Sequence, residues 1–423
     1  MRHSSEPALA ALVGIDWADQ QHAIAWKETG SERVESQEVS TTPEALTQWI
    51  ASLRVRFAGQ AIGVVLEQSR GALIHALLEH DCFVLYPVNP AMVDRFRKAF
   101  SSSGAKADPT DAVLMLELLE KHRDRLHPWK PDDADTRALS RLVEARRKAV
   151  DERTKLIQRL TAELKGYFPQ ALELAGEDLN SPMALAFLRN WPSLPALKRT
   201  REQTLRRFYA QHHCRSVEKI NARLKQIRRS VPLVTDWAIV EPSVMTVQLL
   251  VDQIQVLNEG IEAHEERIQT LFSAHPDADL FRSLPGSGPH LAPRLLAAFG
   301  SDRSRFKEAV SIQQYSGIAP VSEVSGKSRW VHRRWAAPKF IRQSFHEFAK
   351  HSIRYSLWAR AYYQLQRDRG KGHHAAIRAV AFKWLRILWR CWQDRKPYDE
   401  PRYLEALQKR NSPLIARISA LAH

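Results

Sequence analysis

The stretch Leu12-Val13-Gly14-Ile15-Asp16-Trp17 decides the fold of the N-terminal part of the chain. Its apolar run is typical of a buried β-strand, and a single carboxylate follows at its end. An acid at the end of a buried strand is held rigidly but stays open to solvent, which suits a metal ligand in an enzyme. Such an acid is more often the first residue of a loop, so Asp16 needs support from the rest of the chain.

Short strands and helices alternate from residue 8 to about residue 125. We predict strands over 10–15, 22–26 and 34–40, a helix from Thr42-Pro43 to Leu53, a strand over 61–66, a helix over 72–79, a strand over 82–88, a helix from Asn89-Pro90, and a helix from Asp108-Pro109-Thr110-Asp111. Three antiparallel strands, a helix, then strand–helix–strand–helix is the order of a ribonuclease-H-like α/β domain. Two strands of that order deliver acids at their ends, Asp16 and Glu67.

The composition indicates a polyanionic partner. The 423 residues include 63 Lys and Arg against 47 Asp and Glu, a formal net charge of +16. The field of such a chain attracts nucleic acid, which is the leading partner, although a ribosome-associated or membrane-surface protein has the same balance. The length predicts two or three domains.

The cysteines and the apolar segments indicate in which cellular compartment the protein works. Cys82, Cys214 and Cys391 lie far apart without metal-ligand spacing, which argues against a disulfide framework and a structural zinc site. The N-terminal apolar run is too short for a signal peptide, and no later window is long enough to span a membrane. We therefore expect an unprocessed, soluble, cytoplasmic protein without a membrane partner.

Two long helical patterns occupy the middle of the chain. A seven-residue apolar repeat runs over 136–168 and comprises Val143, Val150, Ile157 and Leu164. A second such repeat, later in the chain, comprises Val247, Ile254, Ile261 and Ile268. We predict coiled-coil arms that pair either within one chain or between protomers. Between them, about 170–240, lies a basic helical insertion that either contacts nucleic acid or is a solvated helical pair.

The chain from about residue 280 is predicted to be mainly helical and basic. Leu284-Pro285-Gly286-Ser287-Gly288-Pro289 fits a helix-hairpin-helix turn, whose backbone N–H groups bind phosphate. Tyr315-Ser316-Gly317-Ile318-Ala319-Pro320 follows. We predict a loop from Val321 to Arg329 and then a helical tail.

Two further acids complete a possible ligand set. Asp108 and Asp111 are three residues apart at a helix start, so their side chains project from one face, with Cβ atoms about 5–6 Å apart. Together with Asp16 and Glu67 they could hold divalent cations. Helix capping by Asp108, with Pro109 at the first position and Asp111 in the first turn, explains the pair without a metal.

The combined order of these motifs carries a resemblance. Gly14-Ile15-Asp16, Leu66-Glu67, Asn89-Pro90 and the segment 106–112 together resemble the DEDD transposases of the insertion-sequence one-ten (Piv-type) family, which are bridge-RNA-guided recombinases. The C-terminal motifs at 284–288, Arg305-Phe306, 315–320 and Ser325-Gly326 resemble the second domain of the same family. Compact members join the two arms almost directly, whereas this chain carries the basic insertion.

The resemblance implies a fold and its boundaries. It implies a RuvC-like domain over 8–128, coiled-coil arms with the basic insertion over 129–275, a transposase domain over 276–410, and a tail over 411–423.

The resemblance also implies a chemistry. It assigns Asp16, Glu67, Asp108 and Asp111 as ligands of Mg²⁺ or Mn²⁺, and Ser325 as the nucleophile that forms a covalent 5′-phosphoserine link; Ser322 or Ser328 would take that role if the motif slips. The implied partners are donor and target DNA, a non-coding bridge RNA, and other copies of the chain as a dimer to tetramer through the coiled coil, in a bacterial, nucleoid-associated setting. A Ser-Gly pair is otherwise usually a turn.

Two other functions stay open on the sequence. One is a RuvC-like, metal-dependent junction nuclease that uses activated water instead of a serine. The other is a non-enzymatic nucleic-acid-binding protein whose acids only cap helices and strands.

Overall fold

A computed structural model describes residues 8–67, 71–100, 108–214, 216–326 and 328–422. The chain divides into two units, Met1–Pro131 and Asp132–His423. The predicted Lys106-Ala107 part of the acid motif lies outside the described residues. Each unit is described by itself.

The first unit is an α/β structure. Its elements are β1 (Ala11–Asp16), β2 (Gln21–Glu28), β3 (Glu35–Ser40), α1 (Pro43–Arg56), β4 (Ile62–Leu66), α2 (Ala72–Leu78), β5 (Phe83–Pro87), α3 (Pro90–Phe100) and α4 (Asp108–His122). The sheet has five strands in the order β3-β2-β1-β4-β5. β2 is antiparallel to β1 and β3, whereas β4 is parallel to β1 and β5. The predicted order of elements and the mixed α/β class are confirmed.

One face of this sheet is covered by α1 and α2. The Thr42 side chain caps α1 by accepting a hydrogen bond from the Ala45 amide, and Pro43 occupies the first turn as predicted. The apolar stripe of α1 packs with α2 against alternate residues of the central strands: Leu46, Trp49 and Ile50 of α1, Leu73, Ile74 and Leu77 of α2, and Val13, Ile15, Val64 and Leu66 of the sheet. The two central parallel strands are thereby fixed in the hydrophobic core.

The second unit is mainly helical. Its elements are α5 (Ala134–Tyr167), α6 (Ala171–Leu174), α7 (Pro182–Asn190), α8 (Leu194–Lys198), α9 (Glu202–Gln211), α10 (Val217–Arg229), α11 (Trp237–Ala274), α12 (Ala278–Arg282), α13 (Gly288–Phe299), α14 (Ala309–Tyr315), β6 (Val321–Ser325), β7 (Ser328–His332), α15 (Lys339–Tyr355), α16 (Leu357–Asp368), α17 (His373–Asp394), α18 (Glu400–Lys409) and α19 (Leu414–Ala422).

The two predicted arms, α5 and α11, pair antiparallel within the chain. Arg146 Nε donates to Glu265 at 2.7 Å, and Arg153 donates to Asn258 at 2.8 Å, so residue numbers rise along one helix as they fall along the other. Most of the predicted apolar repeat is buried, while Val150 and Ile157 are half-buried. The intrachain alternative for the arms therefore describes this structure.

The basic insertion folds into helices α6 to α10. Their apolar sides share one core with the far ends of the two arms, in which the Trp191 and Phe208 rings lie 4.9 Å apart between centroids. Most of the basic side chains are exposed on the outside: Arg199, Arg201, Arg207, Lys219, Lys225, Arg228 and Arg229. The insertion is a folded helical subdomain with a cationic surface.

The C-terminal helices enclose a tryptophan-rich core, and a small hairpin stands outside it. Trp358, Trp384 and Trp392 are fully buried. The predicted loop over 321–329 is wrong, because β6 and β7 form an antiparallel hairpin there. Both strands are largely solvent-exposed, so their residues lack the buried face from which a strand is recognised. In the described ranges, no helix is both long enough and apolar enough to cross a bilayer.

Candidate active site

Asp16 and Glu67 lie at neighbouring strand ends. Asp16 is the last residue of β1, and Glu67 directly follows β4. The two strands are parallel with Ile15 opposite Leu66, so the acids leave the sheet side by side at the carboxyl ends of its central strands. Both residues are half-buried. This edge of an α/β sheet is where such folds place their ligand sites.

Gly14 brings a helix close to this edge. A Cβ at Gly14 would stand 2.2 Å from the Ala112 carbonyl oxygen and 2.7 Å from the Leu116 amide, so only glycine allows α4 to pack here. Gly14 and Asp16 alternate onto the same face of β1. The part of α4 from Ala112 to Leu116 therefore covers the sheet face from which Asp16 projects.

Small residues of β2 make the same close packing possible. Ala25 is opposite Gly14 and Ala23 is opposite Asp16, and both alanines pack with Ala112 and Leu116. Side chains two residues apart along a strand point to the same face, so Glu67 projects from the same face of the sheet as Val65. Val65 packs against Met115 and Leu119 of α4. Asp16, Glu67 and the start of α4 thus share one side of the sheet.

Asp111 is buried in the first turn of α4 and is bound by an arginine. Arg97 of α3 donates from Nε to Asp111 Oδ1 at 2.9 Å, and a terminal nitrogen lies 2.6 Å from Oδ2. A bidentate pair of this kind is among the stronger polar contacts in proteins. Asp108 is the first residue of α4, and its side chain lies outside the described part.

The donor chemistry of the acids fits a hard cation. Mg²⁺ and Mn²⁺ take carboxylate oxygens, which Asp16, Glu67 and Asp111 offer. Among the side chains that are described, no three of His, Cys, Asp or Glu are gathered as a metal site. Asp111 faces Arg97 instead, so its use as a ligand requires the arginine to move away.

Ser325 lies at the tip of the β6–β7 hairpin in the second unit. It ends β6 opposite Ser328, and Gly326, with φ of +55°, starts the turn. The Ser325 side chain is exposed. Ser322 lies on the opposite face of the hairpin, because it is an odd number of residues from Ser325. The acids belong to the first unit.

The face of the hairpin that carries Ser325 also carries a histidine–glutamate pair, which we did not predict. His332 Nε2 and Glu323 Oε1 are 2.9 Å apart. The carboxylate of Glu323 raises the pKa of His332 above its ordinary value, and the Arg333 carbonyl adds to this effect. Trp330 packs on His332 with ring centroids 4.6 Å apart and is 62 % exposed. A tryptophan, a histidine and a glutamate thus share the face of the hairpin that carries the serine.

Gly317 ties the 315–320 motif to the chain that follows the hairpin. Its φ is +69°, and a Cβ there would stand 2.5 Å from the Ala337 methyl group and 3.4 Å from Arg342 Cδ. Ser316 is fully buried and donates to the Gln313 carbonyl. This motif is therefore a packing element beside the hairpin. A lone glycine in the sequence can indicate such a close approach of two chain segments. No comparable sequence pattern indicates that Arg97 would contact Asp111 or that Glu323 would contact His332.

Comparisons with known proteins agree along most of the chain. A DEDD transposase model of the IS110 type matches residues 13–169, and a model described as the transposase IS116/IS110/IS902 family matches residues 278–364. Together they match more than half of the chain.

Individual relatives extend the similarity over both units. The mini-circle putative transposase for IS117 of Streptomyces coelicolor is 28% identical over 406 residues, with 94% of this chain and 97% of the relative covered. An uncharacterized 42 kDa protein of the insertion element IS900 of Mycobacterium paratuberculosis is 26% identical, with 91% and 96% covered.

Proposed function

Since the chain belongs to the IS110-type family of insertion-sequence transposases, which are DNA-processing enzymes, we propose that it recombines DNA through a covalent serine intermediate. The observation that carries the proposal is the side-by-side exit of Asp16 and Glu67 from parallel strands, on the sheet face that α4 covers with Ala112 and Leu116. An acid that only starts a loop has no need of a second acid on the adjoining strand. We also propose that the first unit is RuvC-like, with the domain boundaries given above.

The acids form the metal site of this proposal. Asp16, Glu67, Asp108 and Asp111 would hold Mg²⁺ or Mn²⁺ through carboxylate oxygens. When bound, the cation would neutralise charge on the scissile phosphate and on the leaving oxygen. Asp16 and Glu67 are anchored by buried strands, so the backbone positions from which their carboxylates project are fixed. Arg97 holds Asp111 until a cation competes for it.

Ser325 is the proposed nucleophile. Its Oγ attacks a backbone phosphate, a phosphorus–oxygen bond to the serine forms, and the bond to the 3′ oxygen breaks. The serine proton ends on the departing 3′ oxygen, and the 5′ phosphate stays on the protein. A 3′-hydroxyl that attacks this phosphoserine restores the phosphodiester and frees the serine. The exposed position of Ser325 at a hairpin tip supports this role, because a DNA strand can reach it.

Guidance and assembly complete the proposal. A non-coding RNA pairs with donor and target DNA and supplies the sequence readout, while cationic surfaces such as the insertion at 170–240 hold backbones. Copies of the chain assemble as a dimer to tetramer, with acids and serine contributed by different protomers. An exposed apolar stripe on α11 supports the assembly: Met245, Leu249 and Val256.

The nucleophile is tested by trapping the covalent intermediate. The Ser325→Ala protein, incubated with element-end DNA and its RNA, should give no protein–DNA adduct on a denaturing gel, whereas Ser322→Ala and Ser328→Ala should still give it. An adduct that persists in Ser325→Ala but disappears in one of the other two moves the nucleophile there. Cut DNA without any adduct or serine dependence would instead identify a junction nuclease.

The metal site is tested by a matched pair of substitutions near the end of β1. Asp16→Asn should abolish recombination and weaken Mn²⁺ binding in calorimetry. Asp19→Asn, at an exposed loop position three residues later, should leave both unchanged. Unchanged Mn²⁺ binding in Asp16→Asn would give Asp16 a structural role. Salt-sensitive nucleic-acid binding without cleavage or exchange would support the non-enzymatic alternative.

A further inference from the structure

A basic cleft in the second unit lies apart from the residues already assigned. Its volume is about 730 Å³. Its walls are the middle of α5, the first turns of α15 and α17, and the segment after β7. We name it the α5–α15–α17 cleft. Among the described side chains that line it there is no member of the four-acid set or of the serine triplet.

The charges of this cleft are not balanced. Each of its two acids is already paired: Asp151 lies 3.0 Å from Arg147, which is outside the lining, and Glu152 lies 2.7 Å from Lys155, which is part of it. Within the described ranges, five further cations of the lining have no carboxylate partner: Lys148, Arg333, Lys339, Arg342 and Arg378. Burial and the nearby Arg333 lower the pKa of Arg378. Concentrated, unpaired positive charge of this kind is the footprint of an anion.

Arg342 offers this cleft a hydrogen-bond donor that no described residue uses. Its Nη1 is shielded from solvent and has no hydrogen-bond partner among the described residues. A shielded donor without a partner costs free energy unless a ligand accepts from it. The Arg342 side chain cannot easily turn away, because its Cδ packs at Gly317.

The two helices that open into the cleft add donors. Lys339 begins α15, which has 17 residues, and His373 begins α17, which has 22 residues; neither helix has a side-chain cap at its N-terminus. Uncapped N-terminal amides bind phosphate. His346 and His374 face each other at 5.5 Å between ring centroids, and burial lowers the pKa of His346. These groups suit a phosphodiester better than a carboxylate, since a phosphate accepts from several sides.

The cleft continues toward the hairpin. A second hollow of about 380 Å³ shares Arg333 and Arg378 with it and is lined by the 317–320 motif and by His332. His332 belongs to β7, the partner strand of Ser325. A strand that lies along Arg378 and Arg333 therefore runs from the cleft to the base of the hairpin.

We propose that the α5–α15–α17 cleft binds phosphates of the DNA strand that is presented to Ser325. The binding itself follows from the charge and shape of the cleft, whereas the choice of DNA over RNA rests on the proposed function. Arg333 and Arg378 are the central phosphate contacts, and Lys148, Lys339 and Arg342 hold the strand farther from the serine.

The test measures DNA binding apart from chemistry. Fluorescence anisotropy is recorded for labelled DNA, single-stranded and duplex, and for RNA of the same sequence, with Ser325→Ala protein and no divalent metal. Arg333→Gln with Arg378→Gln should weaken DNA binding at least ~10-fold near physiological salt and reduce the salt slope of log K by about 2. Arg390→Gln, on the exposed end of the same helix, should change neither.

A second pair of substitutions, at exposed positions, controls for the possibility that the first double variant loses DNA binding because it misfolds. Lys148 and Lys339 are exposed, so Lys148→Gln with Lys339→Gln leaves the core intact and should weaken DNA binding in the same direction. Unchanged DNA affinity and slope in both double variants, or a loss confined to RNA, would overturn the proposal. An adduct that survives Ser325→Ala would refute the nucleophile alone, because this binding assay does not depend on the serine.

Discussion

Arg97 holds both carboxylate oxygens of Asp111, with its Nε 2.9 Å from Oδ1 and a terminal nitrogen 2.6 Å from Oδ2. The side chain of Asp111 is only 4% exposed and that of Arg97 14%, so neither charge is balanced by water. One contact thus joins α3 to the first turn of α4, the turn that carries the proposed ligands. A metal and Arg97 compete for the same two oxygens.

Arg97→Gln should loosen the start of α4 in the absence of metal. A buried carboxylate that loses its cation typically costs about 3–5 kcal/mol. We expect faster hydrogen exchange in peptides of α3 and α4, measured by mass spectrometry, and partial restoration by Mg²⁺ if Asp111 is a ligand. Arg95→Gln, exposed on the same helix, is the control and should exchange as the unsubstituted protein does. Mg²⁺ without any effect on Arg97→Gln would remove Asp111 from the ligand set.

Gly14→Ala should displace α4 from the sheet. The new methyl group would stand 2.2 Å from a backbone carbonyl oxygen, which cannot move without the helix, and overpacking of this kind costs ~3 kcal/mol or more. Gly63→Ala on the adjoining strand is the matched control. Its methyl would meet the ends of side chains and no backbone: Leu9 Cδ1 at 2.6 Å, and the Cδ2 atoms of Leu119 and Leu12 at 3.4 Å. Exchange in β1 and α4 peptides should rise far more for Gly14→Ala; equal effects would contradict the close approach of α4.

The His332–Glu323 pair should titrate with a raised histidine pKa. The carboxylate stabilises the protonated imidazole, so in the folded protein the His332 pKa lies above 6.5. The pair therefore stabilises the hairpin fully below the unfolded pKa, and this contribution is lost as the pH rises through the folded pKa. An NMR titration measures this pKa directly. Glu323→Gln should lower the His332 pKa, although the Arg333 carbonyl should still hold it somewhat above its ordinary value. The control Glu405→Gln, on α18, should leave the His332 pKa unchanged. A pKa at or below 6.5 in the unsubstituted protein would refute the pair.

Local signals in the sequence predict much of the first unit. The apolar runs before Asp16 and Glu67 are long enough to identify central strands, and Thr42-Pro43 identifies the start of α1. Parallel neighbours follow from the order of elements, which is why the two acids could be expected together. The residues that adjust the site are different. Arg97 meets Asp111 only through the packing of α3 on α4, and no local pattern contains that contact.

The second unit shows two further limits of the sequence. The hairpin was predicted as a loop because exposed strands carry no buried face, yet Glu323 and His332 meet there only in the paired strands. The heptads predict that α5 and α11 each bury an apolar face against a partner helix. They do not predict whether that partner belongs to the same chain or to another protomer, since the same apolar positions serve both pairings. The cleft near Arg342 draws residues from four separated segments, so its unpaired charge emerges only in three dimensions.

The outer face of α11 should mediate self-association. Met245, Leu249 and Val256 are 67%, 59% and 67% exposed, and helical geometry places them within about 40° of one another, away from the buried seam. Because the seam with α5 is already satisfied within the chain, assembly through this helix has to use its outer stripe. Leu249→Glu with Val256→Glu should convert the assembly to a monomer in light scattering without loss of helicity, because both side chains are exposed. Gln248→Glu, also exposed but about 60–100° around the helix from the three stripe residues, should keep the assembly. A mass that is unchanged in the double variant would place the protomer contacts on other surfaces and leave the stripe without a role in assembly.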